Sequence, residues 1–144
     1  MKVLLFTEAW EPQVNGVVTA YRNFIREWER HGHEVTVVHP HTFSKRVGLP
    51  SYPEIRLPLP PYRIDSIVEH EQPDAIHIAT EGPLGFAVRQ YCKKHHIPFT
   101  TACHTKFPDY VGTRVPIGSS MASAVSAKLQ RRFHDAAAAT FVTS

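Results

Sequence analysis

Three short segments carry the residue types that could do chemistry: Thr7 to Gly16, Thr80 to Gly85, and His104 to Tyr110. The first, Thr7-Glu8-Ala9-Trp10-Glu11-Pro12-Gln13-Val14-Asn15-Gly16, closes on a glycine just ahead of an amphipathic run. A helix starting there would present unpaired N–H groups and the positive end of its dipole, and glycine would let an anionic phosphate come close. Asn15-Gly16 is equally a turn and helix cap, and the residues alone leave both readings open. The spacing is not GxGxxG, so the dinucleotide fingerprint is missing. In the second segment, Glu81 places a carboxylate between a strand and a helix. There it can bind a sugar hydroxyl or face the first-turn amides of the helix, and position favours the second. In the third, His104 is trailed by Thr105, Lys106, Phe107, Asp109 and Tyr110. An imidazole at this place can donate to or accept from a hydroxyl near neutral pH.

Ten histidines raise the question of a metal. The pairs His31 and His33, His39 and His41, and His95 and His96 match neither HExxH nor a Cys/His zinc pattern. Solvent-exposed loop and helix-end histidines are expected instead, with no metal and no cofactor. His77, flanked by Ile76 and Ile78, reads as a hydrogen-bonded interior residue. Cys92 and Cys103 form neither a CxxC motif nor a disulfide framework, so reduced thiols are expected.

The elements that must position these segments alternate along the chain. Val3 to Thr7 is a continuous apolar run suited to a parallel strand buried on both faces. Val17, Val18, Tyr21, Phe24, Ile25 and Trp28 then recur at helical spacing, with Gly32 as a stop. A β-branched strand spans His33 to His39. Residues His41 to Pro61 are rich in Pro, Ser and Gly and read as an excursion over the sheet edge, with a short strand at Glu54 to Leu57. A helix opened by Pro60 and Pro61 leads to the strand Ala75 to Ala79. Pro83 opens the next helix, which ends in Lys93-Lys94-His95-His96, and Pro98 to Cys103 is the following strand. A last helix from about Ser119 to His134 precedes a strand from Ala138 to Thr143. This order predicts an α/β fold, a Rossmann-like doubly wound parallel sheet. Ligands of such sheets bind beyond the carboxyl ends of the strands, and all three segments fall there.

With 144 residues, 42% hydrophobic and 20% charged, the chain suits one compact domain. Neither a signal peptide nor a membrane span is expected, because the first apolar run soon reaches Glu8 and Pro12. A cytoplasmic location follows as an expectation. The formal charge of +3 comes from positive residues scattered among acidic ones, which argues against a nucleic-acid partner. The small clusters Lys45-Arg46, Lys93-Lys94 and Arg131-Arg132 would give peripheral contact with an anionic inner membrane face if they shared one side. Solvated helix ends are the competing reading.

Taken together, the loops resemble the family-4 retaining glycosyltransferases, particularly bacterial α-mannosyltransferase-like members. The resemblance rests on Glu11-Pro12-Gln13-Val14-Asn15-Gly16-Val17-Val18, Thr80-Glu81-Gly82-Pro83-Leu84-Gly85, and Phe99-Thr100-Thr101-Ala102-Cys103-His104-Thr105-Lys106-Phe107-Pro108-Asp109-Tyr110. It runs from Met1 to Ser144 and implies the N-terminal, acceptor-side half of a GT-B fold. The C-terminal half, absent from these residues, would hold most of the nucleotide-sugar donor. By that resemblance Gly16 approaches the donor diphosphate with Asn15 shaping its turn, and His104 contacts the donor sugar near the reacting centre as the catalytic candidate. Glu81, Thr105, Lys106 and Tyr110 line the side that takes a sugar or lipid-linked acceptor. The implied reaction is metal-independent hexose transfer with retention, of the kind that uses mannose from GDP-mannose. The family's Arg/Lys pair and Glu-x7-Glu motif belong to the other half, so residues 1–144 alone are expected to be inactive.

The alternative class is a non-catalytic Rossmann-like module binding a sugar or nucleotide by itself. A dehydrogenase-type domain fits less well, because the first turn has the wrong glycine pattern.

Overall fold

The N-terminal apolar run becomes β1 (Lys2–Phe6), whose Leu4, Leu5 and Phe6 are fully buried. A strand covered on both faces has to be central, and β1 is paired on both sides. The computed structural model describes residues 1–49, 52–104 and 119–142. Helix α1 (Gly16–Arg30) follows β1 and returns the chain through a turn at Gly32 to β2 (Glu34–Val38), parallel to β1. A short 3-10 turn at Pro40–Thr42 leads into a hairpin of β3 (Arg46–Leu49) and β4 (Tyr52–Pro58).

The excursion predicted between His41 and Pro61 is therefore partly ordered as a two-stranded antiparallel sheet of its own. The strand expected at Glu54 to Leu57 lies inside β4. Its partner β3 gave no sign in the sequence, because four residues including Gly48 offer no alternation to read. Helix α2 (Ile64–Glu71) starts after the prolines instead of on them. Arg63 sits in the left-handed region with φ 48°, which no α-helical turn can contain. The remaining elements are β5 (Ala75–Ile78), α3 (Pro83–Lys94), β6 (Phe99–Cys103), α4 (Ser119–His134) and β7 (Ala139–Val142). Each lies within a residue or so of its expected bounds.

The main sheet has the order β2-β1-β5-β6-β7, and every neighbour is parallel. Strand pleating sends alternate side chains to opposite faces. Leu4, Phe6, Ile76, Ile78 and Phe99 join Leu84, Val88 and Cys92 of α3 and Phe133 of α4 in one core cluster. Leu5, Ala79 and Ala102 meet Tyr21 of α1 on the other face, with Val17, Trp28, Val35 and Val37 packed against them. The fold is thus α/β, with a Rossmann-like sheet covered on both sides. Both cysteines are thiols, and burial pushes that of Cys92 up to about 12. Among the described residues no helix is long and apolar enough to cross a membrane.

Phe133 is fully buried and packs edge-on against Phe86, joining α4 to α3. Truncating it empties the space between those helices, so Phe133→Ala should lower stability by about 3–5 kcal/mol in urea unfolding. A loss below about 1 kcal/mol would contradict this packing.

Candidate functional site

Strand order reverses between β1 and β5, the switch point at which sheets of this kind place their ligands. The carboxylate of Glu8, from the loop after β1, crosses to the segment after β5. Its Oε1 accepts from the amides of Leu84 at 2.6 Å and Gly85 at 3.2 Å, in the first turn of α3. Its Oε2 accepts from the Thr80 hydroxyl, whose oxygen in turn accepts from the Glu8 amide at 2.8 Å. Glu8 is buried, and burial pushes its carboxyl above the ordinary value while these donors pull the other way.

The glycines of this segment have a steric reason. A Cβ at Gly82 would overlap the Glu8 carboxylate, and one at Gly85 would overlap the Thr80 carbonyl oxygen. Of the two readings open for Glu81, a sugar hydroxyl or these amides, its position in the sequence favours the amides. The structure corrects this: Glu8 takes them, and Glu81 turns to the C-terminal end of α4. There its Oε1 accepts from His134 Nε2 at 2.8 Å and Gln130 Nε2 at 3.1 Å. Nothing in the sequence spacing marks residues so far apart as neighbours, because the signal is topological.

On the α1 face, His77 is the interior residue expected. Its Nε2 pairs with the Tyr21 hydroxyl at 2.7 Å and its Nδ1 with the Thr100 hydroxyl at 2.7 Å. Burial lowers its pKa from 6.5 to about 4, so the ring is neutral. Just beyond the end of β6, the His104 ring meets Tyr21 edge-on at 5.0 Å. His104 Nε2 is buried and has no hydrogen-bond partner among the described residues. Burial also lowers the His104 pKa, against the nearby charge of Glu81.

The helix bearing Tyr21 opens at Gly16, so Asn15-Gly16 and His104 belong to the same face of the sheet. Asn15 Oδ1 accepts from Val17 N at 3.0 Å and Val18 N at 3.1 Å, the helix cap foreseen as one reading. Open space stands where a Gly16 side chain would begin, which leaves room for the other. Thr105, Lys106 and Tyr110 lie outside the described residues.

A cleft of about 580 Å³ lies beside this edge, between residues 10–14, the α1 residues Val18, Thr19 and Arg22, and His39 with His41. Glu11 and Arg22 form an ion pair at 2.9 Å across exposed side chains. The sequence reads both histidines as loop residues and does not single out Arg22. Only their position after β1 and β2 could have marked them. The basic dipeptides Lys93-Lys94 and Arg131-Arg132 occupy the last turns of α3 and α4, and Arg46 begins β3.

A parallel sheet of this order, with polar loops gathered at its carboxyl edge, defines a Rossmann-like ligand-binding domain of the kind that forms half of a GT-B enzyme. The family described as Glycosyltransferase Family 4 matches residues 14–144, and the chain belongs to that family. It is 32% identical over 127 residues to an alpha-monoglucosyldiacylglycerol synthase of Acholeplasma laidlawii, an alignment covering 76% of this chain and 31% of that protein. A GDP-mannose-dependent alpha-mannosyltransferase of Mycolicibacterium smegmatis is 27% identical, with all of this chain and 42% of that protein aligned. The chain thus spans less than half the length of these relatives.

Because His77 is held neutral, its contribution to stability is present above pH 6.5 and is lost as pH falls through that value towards about 4. The shift corresponds to about 3 kcal/mol. Urea midpoints should therefore drop steeply between about pH 7 and about pH 4.5, and less steeply in His77→Gln. Equal slopes would contradict a neutral, buried His77.

Proposed function

We propose that residues 1–144 form the acceptor-side half of a retaining hexosyltransferase. The observation that carries this reading is the His104 ring. It stands at the carboxyl edge of the sheet with a buried Nε2 that has no partner among the described residues, against the helix that Asn15 and Gly16 open. The enzyme moves a hexose from a nucleotide sugar to a lipid or carbohydrate acceptor. Alignment over the whole chain with a GDP-mannose-dependent relative favours mannose and GDP-mannose.

In this reading the bond from the anomeric carbon to the diphosphate oxygen breaks, and a new bond forms from the acceptor hydroxyl on the same face of the sugar. Negative charge grows on the leaving diphosphate, and the N-terminus of α1 faces it with amides and dipole where Gly16 leaves room. His104, neutral at physiological pH, accepts from or donates to a donor-sugar hydroxyl beside the reacting carbon. The cleft at Trp10, Arg22, His39 and His41 extends the acceptor side, with Thr105, Lys106 and Tyr110 assigned there, while Glu81, turned towards His134 of α4, is not part of it. A second domain, outside these residues, holds most of the donor, so residues 1–144 alone do not turn over. A cytoplasmic location with peripheral contact at the inner membrane face suits a lipid-linked acceptor.

The test joins these residues to their second domain and follows mannose transfer from GDP-mannose. His104→Gln should lower kcat roughly 100-fold, the loss expected for a positioned acid–base or polar contact, and residues 1–144 alone should show no transfer. An unchanged kcat, or turnover by residues 1–144 alone, would overturn the proposal. Tight calorimetric binding of a sugar by residues 1–144, with no transfer in either form, would identify a non-catalytic module instead.

A further inference from the structure

We infer that Glu81, Cys103 and His134 form a binding site for a borderline-soft divalent cation of the zinc type. The three residues come from three elements: the loop after β5, the end of β6, and the end of α4. One ligand atom from each lies within 4.8 Å of the other two. Distances of about 2.0–2.3 Å from a zinc ion to sulfur, imidazole nitrogen and carboxylate oxygen need only small side-chain rotations to be met from there. The proposal does not depend on sugar transfer.

The polar pattern is already that of a cation site. Gln130 Nε2 donates to Glu81 Oε1 at 3.1 Å and to Cys103 Sγ at 3.2 Å, while His134 Nε2 meets the same carboxylate oxygen at 2.8 Å. N–H groups therefore stand where an ion would stand, between a carboxylate and a sulfur. The far side of the imidazole is also in order. His134 Nδ1 pairs with the Thr101 hydroxyl at 2.7 Å, and Thr101 with Thr140 at 2.9 Å, the outer contact that orients metal-bound histidines.

The donor set selects the ion. One sulfur, one nitrogen and one carboxylate oxygen suit zinc or cobalt, whereas magnesium and calcium require oxygen ligands. Binding releases the Cys103 thiol proton to solvent and leaves the sulfur as thiolate. Among the described residues the site has these three ligands, and a four-coordinate ion takes one further donor. Strand pleating puts Cys103 and Thr101 on the α4 face, opposite the α1 face that His104 and Ala102 occupy. The ion would therefore tie α4 to β5 and β6 from behind the candidate sugar site.

The probe is cobalt chloride titrated into the protein, with optical spectra and calorimetry, followed by displacement with zinc chloride. The expected result is one ion per chain, a thiolate-to-cobalt charge-transfer band, the visible spectrum of a four-coordinate ion, and no response to magnesium. Cys103→Ser should abolish the band, and Thr101→Val should weaken binding by about 10-fold while keeping the spectrum. Circular dichroism checks that each variant is folded, and His95→Gln serves as a control expected to bind like the parent protein. No bound ion, a six-coordinate spectrum without the band, or a band that survives Cys103→Ser would overturn the site.

Discussion

The buried carboxylate of Glu8 is the constraint on which the rest of the sheet edge depends. A charge taken out of water without partners is strongly unfavourable. Here the loop after β1 supplies the acid, and the segment after β5 supplies the Thr80 hydroxyl and two amides of α3. Those amides belong to a helix start, which has unpaired N–H groups and a dipole suited to an anion. At the switch point between β1 and β5 a protein carboxylate thereby ties the two post-strand loops together. Gly82 and Gly85 allow the approach, because side chains at either position would displace Glu8 or the Thr80 carbonyl.

With that base fixed, the pleat of the sheet divides the chemistry between two faces. Towards α1 lie His77, Tyr21 and His104, a chain of rings whose inner member is fully hydrogen-bonded and whose outer member has a buried nitrogen without a partner among the described residues. Towards α4 lie Thr101, Cys103, Glu81 and His134, joined through hydroxyl, amide and imidazole. A single residue step along β6 moves a side chain from one group to the other. This is why neighbours in sequence such as Cys103 and His104 serve different surroundings.

Much of this was legible in the sequence, because the strands are short apolar runs and the helices carry apolar stripes with recognisable starts. Val3 to Phe6, Asn15 ahead of α1, and Pro83 at the start of α3 each point to one local structure on physical grounds. The β3–β4 hairpin was not legible, since Arg46–Leu49 is too short to show a period. Nor was the exchange of roles between Glu8 and Glu81. Both are acids in loops after strands, and only the packing of β1 beside β5 decides which one reaches the amides of α3. The Glu81, Cys103 and His134 group was hidden for the same reason, since no fixed spacing links a loop, a strand end and a helix end. Thr80-Glu81-Gly82-Pro83-Leu84-Gly85 did mark the right place, with its glycines explained by a residue far away in the chain.

The central claim is that Glu8 holds the start of α3, and native-state hydrogen exchange in Glu8→Gln tests it most directly. Relative to the β1 and β5 ladder amides of the same sample, the amides of Leu84 and Gly85 should exchange at least about 10-fold faster than in the parent protein, as expected for losing a hydrogen bond to a charged acceptor. Unchanged relative protection at both amides would contradict the account.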